Sequence, residues 1–150
     1  RQGVDYFRHL ALLLATSPPD ARPWKFLLVG ASGVGVNMAV FWIVTRPVGA
    51  HYVAGGVTAG AVSTFTNYLL NSAFTWADRP ADGAGMFLRR LVRYYAATGA
   101  GNLVYLGVLT GLAHLGVVPL LANLVAVGVG GTFNYLMHNV WTWGGQRGRV

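Results

Sequence analysis

The chain has 150 residues, 54% of them hydrophobic, and sets eleven Lys and Arg against four acids, for a net charge of +7. It contains no cysteine, which excludes disulfides and thiolate metal sites. The charge asks for an anionic partner, but a chain this apolar is a poor match for nucleic acid, and none is expected as a partner.

In chain order, the first 21 residues read as an interfacial amphipathic helix and linker. Val4, Phe7, Leu10, Ala11 and Leu14 recur at helical spacing, opposite Arg1, Asp5 and Arg8, as in helices that lie on a membrane surface. The same charges break the apolar run that a signal peptide needs. The chain begins with Arg1 rather than Met, so the expectation is of a protein processed, tagged or cut from something longer.

Four runs without Asp, Glu, Lys or Arg follow: Phe26–Thr45, Tyr52–Trp76, Tyr94–Ala113 and Leu120–Trp143. At a rise of ~1.5 Å per residue each is long enough to cross a hydrocarbon core of ~30 Å. None shows the polar face of a soluble helix, and lipid offers no partner to unpaired backbone amides. The predicted fold class is therefore all-α: a polytopic integral membrane protein with four transmembrane helices over 22–143. A short cytoplasmic tail, 144–150, ends it.

The basic residues orient the spans. All but Arg46 of the Lys and Arg fall in the N-terminal segment, the loop 77–93 or the C-terminal tail, which share one side if all four runs cross. Short loops rich in Lys and Arg stay cytoplasmic, so both termini are expected inside, in a multi-pass protein of the inner (plasma) membrane. Trp24, Trp76, Trp141 and Trp143 mark the inner boundary and read as an aromatic belt. Anionic membrane lipids are expected against that basic side.

The chain is duplicated. Asn67-Tyr68-Leu69-Leu70-Asn71-Ser72-Ala73-Phe74-Thr75-Trp76 aligns without a gap with Asn134-Tyr135-Leu136-Met137-His138-Asn139-Val140-Trp141-Thr142-Trp143. Lys25-Phe26 and Gly33 match Arg93-Tyr94 and Gly101 after a slip of one residue. Each repeat, 22–78 and 89–145, is a two-span hairpin, and two spans return the chain to its starting side. The hairpins are therefore expected as parallel repeats about an axis along the membrane normal. Gly56/Gly60 and Gly107/Gly111 have the spacing of helix-packing pairs.

The polar residues within the spans point to a site. Gly55, Ala59, Ser63, Asn67 and Asn71 lie four apart on one face, and Ala122, Ala126, Gly130, Asn134 and His138 repeat the pattern. Polar groups in lipid are costly unless they face protein, water or a polar ligand. Interhelical hydrogen bonding is the plain account of any one of them. As a duplicated set, Asn67, Asn71, Asn134 and His138 lie below a basic rim of Lys25, Arg89, Arg90 and Arg93, and that combination suits a lipid phosphate or the sugar attached to it. No residue here is expected to be catalytic: no acidic pair suggests a metal–nucleotide site, and neither metal nor cofactor is expected.

Together, Lys25-Phe26-Leu27-Leu28-Val29-Gly30 opening a span and Asn67-Tyr68-Leu69-Leu70-Asn71 leading to Phe74-Thr75-Trp76, repeated in the second half, resemble the GtrA-like family. The likeness covers about 22–143. It implies a small four-helix membrane protein associated with polyprenyl-phosphate-linked sugars, one that moves them across the membrane as a flippase or works with the glycosyltransferases that make them. Members also occur fused behind a cytoplasmic polyprenyl-phosphate glycosyltransferase. The departures are Ser72 and Asn139, where the family often places a basic residue, and His138 in place of the second motif Asn.

The reading that results is a membrane domain that binds a polyprenyl phosphate, or its sugar-linked form. It would translocate that lipid or present it to a cytoplasmic glycosyltransferase, fused or separate, in cell-surface polysaccharide or glycolipid synthesis. A homo-oligomer is compatible with it. The alternative is a purely structural anchor or assembly module for a glycosyltransferase. A small multidrug-type exporter, which needs a carboxylate inside a span, is the weakest of the three because no span has one.

Overall fold

The computed structural model describes residues 21–144. The expected interfacial helix, in residues 1–20, and the tail beyond Gly144 lie outside them. The described residues are helical with short turns, and no strand occurs among them. Helix α1 spans Arg22–Thr45, α2 Tyr52–Leu70, α3 Gly83–His114 and α4 Pro119–Met137. Both α2 and α4 continue into a wider π-helical turn, Asn71–Thr75 and His138–Thr142 respectively. The all-α fold class is thus observed, with a helix over each apolar run.

Local chemistry explains the helix ends. Pro23 sits in the first turn of α1 and Pro119 opens α4, where a missing N–H costs nothing and the fixed φ is already helical. The His51 side chain accepts from the Val53 amide at 3.3 Å and caps α2. Gly49 and Gly116, at φ 73° and 76°, let the chain reverse after α1 and after α3 in a left-handed conformation that costs glycine little.

By length and composition α1, α3 and α4 with its π turn are long and apolar enough to cross a membrane. Only 11–17% of the residues in their most apolar stretches are buried. Leu27, Leu28, Met38, Leu103, Leu124 and Val127 all stand exposed, a surface that water would not tolerate and lipid would. Helix α2 is more polar because Thr58, Ser63, Thr64, Thr66 and Asn67 lie on it. It runs antiparallel along α1, as the Thr45–Gly55 and Gly33–Ser63 approaches show, so it crosses where α1 crosses.

Helix α3 begins eleven residues before its apolar run, so part of the expected loop 77–93 is helix. Arg89, Arg90 and Arg93 therefore lie on a helical extension. Met86, Phe87, Leu88, Leu91 and Val92 sit among them, and this mixed composition suits a helix emerging from the bilayer.

The described residues form two compact units that divide between Pro80 and Ala81. The first is the α1–α2 hairpin and the second the α3–α4 hairpin. In each, the predicted small-residue face turns toward the partner helix: Gly55, Ala59 and Ser63 are buried in the first, Ala122, Ala126 and Gly130 in the second. Gly56, Gly60, Gly107 and Gly111 do not serve this packing, since a Cβ on any of them would meet nothing within 4 Å.

Candidate functional site

In the first hairpin the N-terminal turn of α1 lies against the π turn that ends α2. Lys25, only 5% exposed, donates from Nζ to the Phe74 carbonyl at 3.2 Å. A π turn leaves carbonyls poorly matched to the regular ladder, and the ammonium meets one of them. Inside the same turn Thr75 Oγ1 donates to Asn71 Oδ1 at 2.6 Å, both side chains being buried. Trp76 is fully buried edge-on to Phe26, with ring centroids 6.0 Å apart. Arg22 and Asp78 form an ion pair at 2.5 Å that joins the ends of the hairpin, and Arg79 lies 3.8 Å from the same carboxylate.

The second hairpin repeats this construction with different chemistry. Arg93 Nη1 donates to the Trp141 carbonyl at 3.1 Å, with its guanidinium carbon 5.6 Å from the centre of the Trp141 ring. In the repeat alignment Arg93 matches Lys25 and Trp141 matches Phe74. His138 Nδ1 shares a hydrogen bond with Thr142 Oγ1 at 3.1 Å, the counterpart of the Asn71–Thr75 bond. Its ring stacks on Tyr94 at 4.1 Å, and Trp143 packs edge-on to Tyr94 at 5.7 Å, as Trp76 does to Phe26. Thr98 Oγ1 approaches His138 Nε2 at 3.5 Å. His138 therefore keeps the hydrogen bond of the Asn it replaces and adds an aromatic stack.

Deeper in each hairpin an Asn presses on a glycine. The Asn67 carboxamide lies over Gly33 and that of Asn134 over Gly101, so closely that a Cβ on either glycine would overlap it. Both Oδ1 atoms are buried and accept no hydrogen bond among the described residues. The hairpins differ one turn further out. Ser63 Oγ donates to the Gly33 carbonyl at 2.8 Å, whereas Gly130 holds the matching place in α4. There a cleft of about 310 Å³ opens beside Asn134, bordered by Gly101, Asn102 and Tyr105 of α3 and by Val127 of α4.

Each hairpin therefore gathers its own predicted residues. Lys25, Asn67 and Asn71 belong to the first, and Arg89, Arg90, Arg93, Asn134 and His138 to the second. Asn71 and His138 are closed into their π turns, Arg90 is buried, and Arg89 is exposed. Trp76 and Trp143, expected in an interfacial belt, are instead completely buried. They plug the hairpin ends against Phe26 and Tyr94, which leaves Trp24 and Trp141 exposed at that end. Thr75, Thr142, Phe26 and Tyr94 fall outside the expected site residues. The repeat alignment carried the signal, since each member of these pairs occupies a matching position.

Residues 25–149 match the family model for the GtrA/DPMS transmembrane domain. The chain belongs to this family. As a GtrA/DPMS domain it is also similar to a dolichol-phosphate mannosyltransferase of Pyrococcus furiosus, with 28% identity over 139 residues and 93% of the chain aligned. The chain spans 38% of that protein's length. The family match covers both hairpins. The family is that of a transmembrane domain, in agreement with the long apolar helices.

Proposed function

We propose that this domain binds a polyprenyl phosphate, or its sugar-linked form, at the cytoplasmic ends of its hairpins. It translocates that lipid or presents it to a glycosyltransferase, fused or separate, in cell-surface polysaccharide or glycolipid synthesis. The observation that carries the reading is the likeness, over nearly the whole chain, to a protein whose name joins dolichol phosphate to mannosyl transfer. The charge pattern supports it. Lys25, Arg89, Arg90 and Arg93 lie at the basic ends of the helices, and ammonium and guanidinium groups make charge-assisted hydrogen bonds to phosphate. The positive-inside pattern supports an orientation with both termini cytoplasmic and those ends at the inner leaflet of the plasma membrane, where lipid phosphates lie.

A second reading, the structural anchor, draws support from the internal closure of Asn71 on Thr75 and of His138 on Thr142. In that reading the polar stripe serves only to hold each hairpin. The two readings part on lipid binding. The purified chain in detergent, offered a polyprenyl phosphate and a polyprenol of equal length, should retain the phosphate form at least tenfold more strongly. Equal retention of the two would leave the anchor as the function.

A further inference from the structure

Resting on that reading, we propose that each hairpin carries its own phosphate site, one centred on Lys25 and one on Arg93, so that one chain takes two phosphate head groups. The duplication is geometric as well as textual. In both hairpins a cation from the first helix reaches the carbonyl of the fourth residue of the π turn that ends the second. Those bonds are Lys25 to Phe74 at 3.2 Å and Arg93 to Trp141 at 3.1 Å. Behind each cation stand the same three supports. They are an i,i+4 bond to a buried threonine, a fully buried tryptophan, and an aromatic ring, Phe26 or Tyr94, against that tryptophan. Two complete sets of this kind make two sites rather than two halves of one.

Charge identifies the ligand. An ammonium has three donors and a guanidinium five, and each cation gives one hydrogen bond to a neutral carbonyl. The ion pairs among the described residues are Arg22–Asp78 and Arg79–Asp78; within that set Arg93 has no carboxylate at ion-pair distance, and Lys25 feels Asp78 only from beyond that distance. Burying a cation without a close counter-ion is costly, which bears on the buried Lys25, and an anion with several acceptor oxygens satisfies the remaining donors of either cation. Capping a carbonyl needs only a neutral donor, yet both repeats use a full charge. Both side chains have long apolar stems that allow the charged head to turn toward the surface. Phosphate is the chemistry that fits, supplied by a lipid head group or as the free ion.

Native mass spectrometry of the full chain in detergent reads the number directly, with polyprenyl phosphate as the probe and inorganic phosphate as competitor. The wild type should saturate at two lipids per chain. Lys25→Met and Arg93→Met should each leave one, while Lys25→Arg and Arg93→Lys keep two. Equimolar inorganic phosphate should displace neither lipid, and displacement would assign the sites to the free ion and overturn the lipid assignment. Saturation at one lipid, lost in both Met variants, would mean a single shared site and overturn the inference while leaving the proposed function in place. Two lipids retained by both Met variants would make the cations mere caps of the π turns, and this also overturns it. Binding of no lipid by a wild type that remains monodisperse would remove the proposed function itself.

Discussion

The Asn67 carboxamide occupies the space in which a side chain on Gly33 would begin. Helices α1 and α2 owe their close approach at this level to that fit, and Asn134 on Gly101 repeats it in the second hairpin. Gly33→Ala and Gly101→Ala should each destabilise by about 1–3 kcal/mol through overpacking, after the gain of up to ~1 kcal/mol in helix propensity is included. Gly56→Ala, facing open space, should be neutral or stabilising. Combining Gly33→Ala with Asn67→Ala should recover much of the loss, because the clash needs both partners. Thermal unfolding in detergent of the four variants checks this.

The buried threonines of the π turns offer a second test. Thr75→Val and Thr142→Val preserve shape and remove the bonds to Asn71 and His138. Each should cost ~0.6 kcal/mol, the average for such bonds in membranes, and up to about 3 kcal/mol where a polar group is left buried and unpaired. His138→Asn should be milder than His138→Leu, since the first hairpin already uses Asn in that role. Equal losses from the two would place the value of His138 in its stack on Tyr94 alone.

Much of this was legible in the residues. Uncharged runs of sufficient length gave the four helices, and the Asn67/Asn134 alignment gave the two hairpins. Hydropathy did not reveal that α3 starts at Gly83, because the mixture around Arg89–Arg93 looks the same in a loop and in a helix leaving the bilayer. Trp76 and Trp143 turn inward rather than into an interfacial belt, since spacing from a span end does not say which way a ring turns. The spacing of Gly56/Gly60 suggested a packing face, whereas packing follows Gly55 and Ala59 one position earlier, where the partner helix lies. The π turns leave no periodic signature, so the pairing of Lys25 with Phe74 and of Arg93 with Trp141 emerges only in three dimensions.

Orientation yields a third prediction. The chain contains no cysteine, so single cysteines report cleanly on sidedness. Asp82→Cys, before α3, and Val48→Cys, after α1, are exposed and avoid the positive-φ glycines beside them. They should react with a membrane-impermeant thiol reagent from opposite faces of sealed vesicles, with Asp82→Cys on the cytoplasmic face. Labelling of both from one face would refute the topology.

Asn67→Leu and Asn134→Leu should insert normally, since leucine is the more lipid-compatible side chain, and should reduce polyprenyl-phosphate binding severalfold. Monodispersity by size-exclusion chromatography, read beside binding, separates the two roles. Variants that fall apart while the remaining folded fraction binds at full strength would make the amides packing groups only.

The most direct test of the central claim is the salt dependence of polyprenyl-phosphate binding in the wild type and in Lys25→Gln/Arg93→Gln. The account predicts that wild-type affinity falls as salt screens the cationic ends. It also predicts that the double variant binds at least tenfold more weakly at low salt with a shallower salt slope. Unchanged affinity and slope in the double variant would contradict recognition of the phosphate by these cations.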